Sequence, residues 1–367
     1  MKKIKVVTVL GTRPEIIRLS RLINILDQNF NHILINTQQN YDQDLNKIFF
    51  KDMSIRLADY NFKNKKISPV NHVSTILYEI EKILLKEKPS AFIILGDTNS
   101  SMSAYVAKRL KIPIFHIEAG NRCFDERVPE EINRKIVDHI SDINITYSKV
   151  AKNNLLKENI SQDTVFHLGS PLHEVFNFYD SKISGSRILS KLNLKSKNYY
   201  LVSIHRDENI EIVKNFKKVI KFLKYLDSKK IKIIFSTHPR TMKKLKKIKI
   251  TFKNILFSRP FAYSDYIYLQ KNAKVVFSDS GSLTEEASLL HFNAINLRNT
   301  NERQEGVNKG IAPMIHFDLQ KIQSILDFYK NNNLTDSVTE YHSPNFSKIF
   351  YKLVISYIDY VNKKYKD

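Results

Sequence analysis

Short apolar runs recur along this chain, each closed by a glycine or a small polar residue and followed by a stretch whose apolar positions return every three or four residues. Such runs predict buried strands, and the longer period predicts helices. The first run covers 4–10 and ends in Gly11-Thr12-Arg13-Pro14-Glu15, a turn with proline at a helix start, before a helical pattern over 16–26. Further strands are predicted over 32–36, 91–95, 112–117 and 143–147, with helices over 72–87, 100–110, 130–139 and 149–158. This alternation calls for a parallel sheet with right-handed crossovers.

A short strand and a Gly/Pro break occupy 165–173, and a polar stretch continues to about residue 197. The domain boundary is expected there, giving an N-terminal domain over 1–170 and a C-terminal domain over 171–345. The second series has strands over 199–204, 231–236, 255–257, 275–277 and 294–297 and a Lys-rich helix over 210–226. A final helix over 346–364 is expected to cross back to the first domain.

The 367 residues suit two such domains, each able to bury a core. The net charge of +22 is mostly lysine along helical faces such as 214–230 and 243–253. It reads first as a solvated surface and second as attraction toward anionic substrates. Neither zinc-ligand spacing nor an RNA-binding aromatic motif accompanies it, so no nucleic-acid partner is expected. One cysteine, Cys123, allows no intramolecular disulfide and suits a reducing cytoplasm. The start Met1-Lys2-Lys3 mimics a leader, but Lys5, Arg13 and Glu15 interrupt it, and no run approaches a membrane span.

Isolated carboxylates end two of the apolar runs, Asp97 after 93–96 and Glu118 after 112–117, and Glu130 and Glu131 follow with Asn133 and Arg134. Ligands in open α/β sheets bind beyond the carboxyl ends of the strands, so Asp97 and Glu118 are expected in one crevice. Carboxylates sharing a site can divide acid and base work. The Gly11 to Glu15 turn is expected to offer free backbone N–H groups and Arg13 to phosphate. In the second half Ser280, Gly281 and Ser282 stand between a strand and a helix start, fit to grip a diphosphate, with Glu286 one turn on for ribose hydroxyls. His205 and His238 end adjacent predicted strands, and Arg303 offers a cation to the same rim.

In this order the motifs resemble those of the non-hydrolysing UDP-N-acetylglucosamine 2-epimerase family, over nearly the whole chain. They are GTRPE from Gly11, GDT from Gly96, HIEAG from His116, PEEINR from Pro129, HRDEN from His205, DSGS from Asp279 with Glu285 and Glu286, and ER at Glu302 and Arg303. The resemblance implies an α/β fold of two Rossmann-like domains with a cleft between them, the glycosyltransferase-B type. It also implies a homodimer and a UDP-2-acetamido sugar as substrate, with no metal and no nicotinamide cofactor. The implied reaction removes the carbon 2 proton while UDP leaves carbon 1, then returns a proton to the opposite face as UDP re-adds. Asp97, Glu118, Glu130 and His205 are its implied proton-transfer groups. Arg13, Arg18, Arg134, His238, Tyr266, Ser280, Gly281, Ser282, Glu286 and Arg303 are implied around the nucleotide sugar.

Three positions depart from the family pattern: Arg18 replaces a common Lys, Ser282 a common Gly, and Asp207 a common Arg. Asp207 alters the charge beside His205. The loop 120–128 resembles that of the branch forming UDP-N-acetyl-L-fucosamine from its L-talo epimer, and that product is expected, for surface polysaccharide such as capsule or O-antigen. UDP-N-acetylglucosamine/UDP-N-acetylmannosamine epimerisation and a glycosyltransferase on the same fold are the alternatives.

Overall fold

A computed structural model describes residues 3–38, 50–63, 68–248, 250–332 and 336–366. The chain forms two compact units, the first comprising 1–178 and 339–367 and the second 179–338.

The first unit carries a seven-stranded sheet in the order β3-β2-β1-β4-β5-β6-β7. Its strands are β1 (Lys5–Leu10), β2 (Asn31–Asn36), β3 (Tyr60–Asn61), β4 (Ala91–Leu95), β5 (Ile114–Ile117), β6 (Ile143–Thr146) and β7 (Val165–His167). Every pairing is parallel, for example Leu95↔Ile117 between β4 and β5 and Ile117↔Ile145 between β5 and β6. Strands buried on both faces are what continuous Val/Ile/Leu runs encode. On β5, Ile114 joins the core formed with helices Pro69–Glu87 and Pro129–Ile140, whereas Phe115 turns to the opposite layer and meets Phe350 edge-on at 6.2 Å.

Phe350 belongs to the last helix, Phe346–Lys366, which is part of this first unit. Its buried side chains Phe346, Phe350, Val354, Ile358 and Val361 recur every three or four residues, so one stripe faces the sheet. Tyr351 packs on Phe30 at 5.2 Å, and the Tyr365 hydroxyl donates to Asp142 at 2.8 Å. Each buried aromatic of this stripe contributes roughly 2–3 kcal/mol.

The second unit carries a five-stranded parallel sheet in the order β10-β9-β8-β11-β12. Its strands are β8 (Tyr199–Ser203), β9 (Lys232–Ser236), β10 (Ile255–Ser258), β11 (Val275–Ser278) and β12 (Ala294–Asn296). Phe222 from helix Val213–Ser228 meets Phe277 of β11 at 5.3 Å and Phe317 at 5.6 Å in the middle of its core.

The structure corrects several sequence expectations. The polar stretch before residue 197 contains the helix Pro171–Ser184, and the division between the units falls inside it. Its start is pinned within the first unit, where the Ser343 N–H donates to His173 and Ser347 donates to Glu174, whereas Tyr179 stacks edge-on against Tyr263 in the second. Half-buried polar anchors of this kind hide the helical period. The single helix expected over 210–226 is two, Asp207–Ile210 and Val213–Ser228, and the helix expected over 100–110 opens with a 3₁₀ turn, Asn99–Ser103. The helical lysine face at 243–253 stops with helix Pro239–Lys247. Among the described residues, no helix is long and apolar enough to cross a membrane.

Candidate functional site

Because β4 and β5 are adjacent and parallel, Asp97 and Glu118 leave the sheet side by side at its carboxyl edge. Gly96 turns the chain between β4 and Asp97 with a φ of +72°, a conformation that suits glycine. Glu118 itself holds φ at +73°, a conformation that costs a non-glycine residue on the order of 1 kcal/mol. Arg18 Nε stands 3.5 Å from Glu118 Oε2, and the Asn121 amide donates to Oε1 at 3.5 Å. Arg134 Nε donates to Asp97 Oδ2 at 2.7 Å, while Asn133 holds the Asp97 carbonyl at 2.8 Å. Each carboxylate therefore has its own guanidinium. Both stay partly open, with side-chain exposures of 23% for Asp97 and 14% for Glu118.

The acidic pair at the head of helix Pro129–Ile140 splits into two environments. Glu130 is half-buried on the rim. Glu131 is fully buried, accepts from the Cys123 and Phe124 N–H groups at 3.1 and 3.0 Å, and pairs with Arg134 at 2.7 Å. Burial alone would raise its carboxyl, but those N–H groups and the guanidinium hold it below the usual range. Glu131 thus ties the 120–128 loop to the same arginine that holds Asp97.

One expectation fails here. The N–H groups of Gly11 and Thr12 are occupied, donating to Glu15 at 2.8 and 2.6 Å. Glu15 also accepts from Thr98 at 2.8 Å, so this buried carboxylate sews the first turn to the Gly96-Asp97-Thr98 turn. Burial pushes its carboxyl up despite those hydrogen bonds. A carboxylate three residues into the helix is the ordinary way to satisfy such N–H groups. Arg13 is half-buried beside the turn, with Arg18 buried one turn on.

In the second unit the strand ends of β8, β9 and β11 converge, since β8 lies between the other two. Asp279, fully buried, receives the N–H groups of His205 and Arg206 at 3.0 Å each, the Asn209 amide at 2.9 Å, and His205 Nδ1 at 3.1 Å. Burial would raise this carboxyl, but His205 facing it, Asn209 and the Arg206 N–H bring it down to about 2. With Nδ1 turned to Asp279, His205 presents Nε2 outward from a ring 44% exposed. The next turn forms a chain in which Ser280 and Ser282 hydroxyls bond at 2.9 Å and Ser282 donates to Glu286 at 2.8 Å. Gln270 holds the other Glu286 oxygen at 2.6 Å. A Cβ at Gly281 would come 2.5 Å from Glu302 Oε1, so the Glu302 side chain would have to shift.

The remaining predicted residues take varied places. His238 caps helix Pro239–Lys247 by accepting from the Arg240 N–H at 3.3 Å, at the end of the strand next to that of His205. Tyr266 is buried on helix Tyr263–Asn272. Arg303 is a correction to the expected rim cation. It is 1% exposed and pairs with buried Glu285 at 2.6 Å, which also accounts for the first acid of the Glu285-Glu286 pair. Asp207 pairs with Arg240 at 2.6 Å, so its charge beside His205 is met locally. Glu15, Glu131 and Asp279 were absent from the sequence-derived set. The Thr12 to Glu15 spacing could have signalled the first, whereas the other two show themselves only through backbone donors brought close by folding. Among the described residues no group of three or more His, Cys, Asp or Glu could hold a metal ion.

Comparison with known proteins follows from this geometry. The model of the family described as UDP-N-acetylglucosamine 2-epimerase matches residues 25–352. The UDP-N-acetylglucosamine 2-epimerase of Methanocaldococcus jannaschii is 35% identical over 344 residues, covering 89% of this chain and 92% of that protein. Its crystal structure in complex with UDP-GlcNAc and UDP superposes with a TM-score of 0.90 at 32% identity, over 96% of this chain and all of that one. The structure of UDP-N-acetylglucosamine 2-epimerase from Rickettsia bellii gives a TM-score of 0.91 at 40% identity, over 98% of each chain. The UDP-2,3-diacetamido-2,3-dideoxy-D-glucuronate 2-epimerase of Pseudomonas aeruginosa is 29% identical, covering 85% of this chain and 88% of that protein.

Proposed function

Since this chain belongs to the non-hydrolysing UDP-N-acetylglucosamine 2-epimerase family and is an isomerase, we propose that it inverts carbon 2 of a UDP-2-acetamido sugar by eliminating and re-adding UDP. The observation carrying this reading is the pairing of Asp97 and Glu118 at adjacent strand ends, each partly open and each countered by an arginine. A base takes the carbon 2 proton, the new double bond expels UDP from carbon 1 with its bonding pair, and a 2-acetamidoglycal remains. A second group then protonates carbon 2 from the opposite face while UDP returns. Asp97, Glu118, Glu130 and His205 are assigned to these transfers, because inversion needs a proton carrier on each face.

The nucleotide is assigned to the second unit. Ser280 and Ser282 offer hydroxyl groups beside Gly281 at a helix start, Glu286 suits ribose hydroxyls, and His205 and His238 supply ring nitrogens for phosphate. Arg13, Arg18 and Arg134 are cations that can compensate charge as UDP departs, while Tyr266 and Arg303 are assigned to shaping the pocket from buried positions. The relatives named as UDP-N-acetylglucosamine 2-epimerases support UDP-N-acetylglucosamine as substrate. A second reading rests on the 120–128 loop, held by Glu131 with Phe124 exposed, and gives UDP-N-acetyl-L-fucosamine as product. Either product is an activated amino sugar suited to a transferase that builds surface polysaccharide. A homodimer through the first unit is supported by exposed Tyr105, Ile132 and Ile136 on its neighbouring helices.

The test is NMR of the purified protein with the D-gluco and L-talo UDP-sugars side by side. The expected result is a new 2-epimer signal from one of them without free UDP accumulating. Free sugar would indicate hydrolysis, and no epimer from any UDP-2-acetamido sugar would overturn the proposal.

A further inference from the structure

Glu118 adopts a strained backbone conformation and yet sits where a carboxylate must be placed to within a fraction of an ångström. Something behind it has to hold that shape. His116, two residues before it on β5, is 1% exposed and reaches in two directions. Its Nε2 lies 2.9 Å from the Gly96 carbonyl oxygen, and its Nδ1 lies 2.9 Å from Asp138 Oδ1. Asp138 is fully buried on helix Pro129–Ile140 and also receives the Gly120 N–H, at 3.2 and 3.3 Å to its two oxygens. Glu118 is therefore bracketed by two residues tied to one carboxylate.

We propose that His116 and Asp138 form a positioning pair that fixes Asp97 and Glu118 together for proton transfer. The carbonyl that His116 grips belongs to Gly96, the residue before Asp97, so the pair sets the spacing between the two strand ends as well as the conformation of Glu118. A carbonyl oxygen and an ionised carboxylate are both acceptors, so the buried ring is held between the Gly96 carbonyl on one side and Asp138 on the other. The other side chain facing Asp138 is Arg122, whose NH1 donates to Oδ2 at 2.6 Å while its fork engages Glu158 at 2.8 and 2.6 Å. Arg122 thus joins the Asp138 and Glu158 carboxylates behind the site. Burial would raise the Asp138 carboxyl, and His116 and Arg122 outweigh it and hold it low. Both members of the pair are too buried to meet a substrate, so they act through the carboxylates in front of them.

This inference rests on the epimerase reading, and its test separates the two. His116→Gln keeps a donor for the Gly96 carbonyl but removes the imidazole from Asp138, and Asp138→Asn removes the anion. Each is expected to lower kcat about 100-fold, as for small misplacement of reacting groups, with KM within about twofold and UDP affinity unchanged. The double variant is expected to be no slower than either single one, because the pair works as a unit. Should Asp138→Asn not fold, His116→Gln carries the kinetic arm. In histidine-labelled wild-type protein, the 15N resonances lost in His116→Gln are expected to be the ones that shift in Asp138→Asn, a readout independent of turnover. Unchanged kcat with only a lower Tm, or His116 nitrogen resonances that stay put in Asp138→Asn, overturns the pair. A wild-type protein that produces no epimer overturns the epimerase reading, while the nitrogen spectrum still judges the pair.

Discussion

The two strand-end rims use the same ingredients in opposite ways. In the first unit the carboxylates Asp97 and Glu118 stand forward and arginines hold them, with His116, Asp138 and Arg122 buried behind. In the second unit the carboxylate Asp279 is buried and the histidine stands forward, followed by a turn of hydroxyls. A forward carboxylate is a proton acceptor and a poor neighbour for phosphate. A buried one that orders N–H groups and a ring builds a neutral-to-positive rim that suits phosphate. The contrast teaches that a carboxylate's depth, rather than its presence at a strand end, separates the rim proposed to move protons from the rim proposed to bind the nucleotide.

The contrast is open to breaking at several points. The largest effect is expected at the forward carboxylates, where Asp97→Asn and Glu118→Gln should each lower kcat by at least about 100-fold while UDP affinity by calorimetry stays within about twofold. Collapse of UDP affinity would make them binding groups and erase the distinction. At the buried carboxylate, Asp279→Asn should cost on the order of 2 kcal/mol of stability and weaken UDP, measured by urea unfolding. Its pH signature follows from the depressed carboxyl, which moves from an ordinary 3.8 to about 2. The stabilisation, about 2 kcal/mol, is complete above the unfolded value and is lost as pH falls through the folded one. Acid melts of wild type and Asp279→Asn should therefore converge in that window.

A backbone test comes next in size. Gly120 has a φ of +81°, and a Cβ would collide with the Ala151 carbonyl. Gly120→Ala should cost roughly 2 kcal/mol in melting experiments and slow turnover, since Gly120 also donates to Asp138. The smallest effect is expected at Ser282→Ala, which removes one hydroxyl from the Ser280-Ser282-Glu286 chain and should weaken UDP by about fivefold with kcat kept.

Much of this was legible before any coordinates. Apolar runs placed the strands, with 91–95 matching β4 to the residue, because strands buried on both faces leave no polar interruption. The helix Pro171–Ser184 was not legible, since its polar residues His173 and Glu174 anchor it to a segment 170 and 173 residues later in the chain. At the site, Asp97, Glu118 and His205 were visible as polar residues ending apolar runs. The division of work between Glu130 and Glu131 was invisible, because it depends on two N–H groups of a loop that folds back onto the helix start. The pairing of Arg303 with Glu285 was hidden for the same reason. Sequence shows which groups can ionise, whereas their partners fix which ones face outward.

The central claim is that the forward carboxylates of the first unit take part in moving the carbon 2 proton, and deuterium incorporation tests it most directly. Incubated with its UDP-2-acetamido sugar in deuterated water, the wild-type protein should place deuterium at carbon 2 in both epimers. Glu118→Gln, with UDP affinity intact, should place almost none. Epimer formation without deuterium at carbon 2, or undiminished incorporation by Glu118→Gln, would contradict the account.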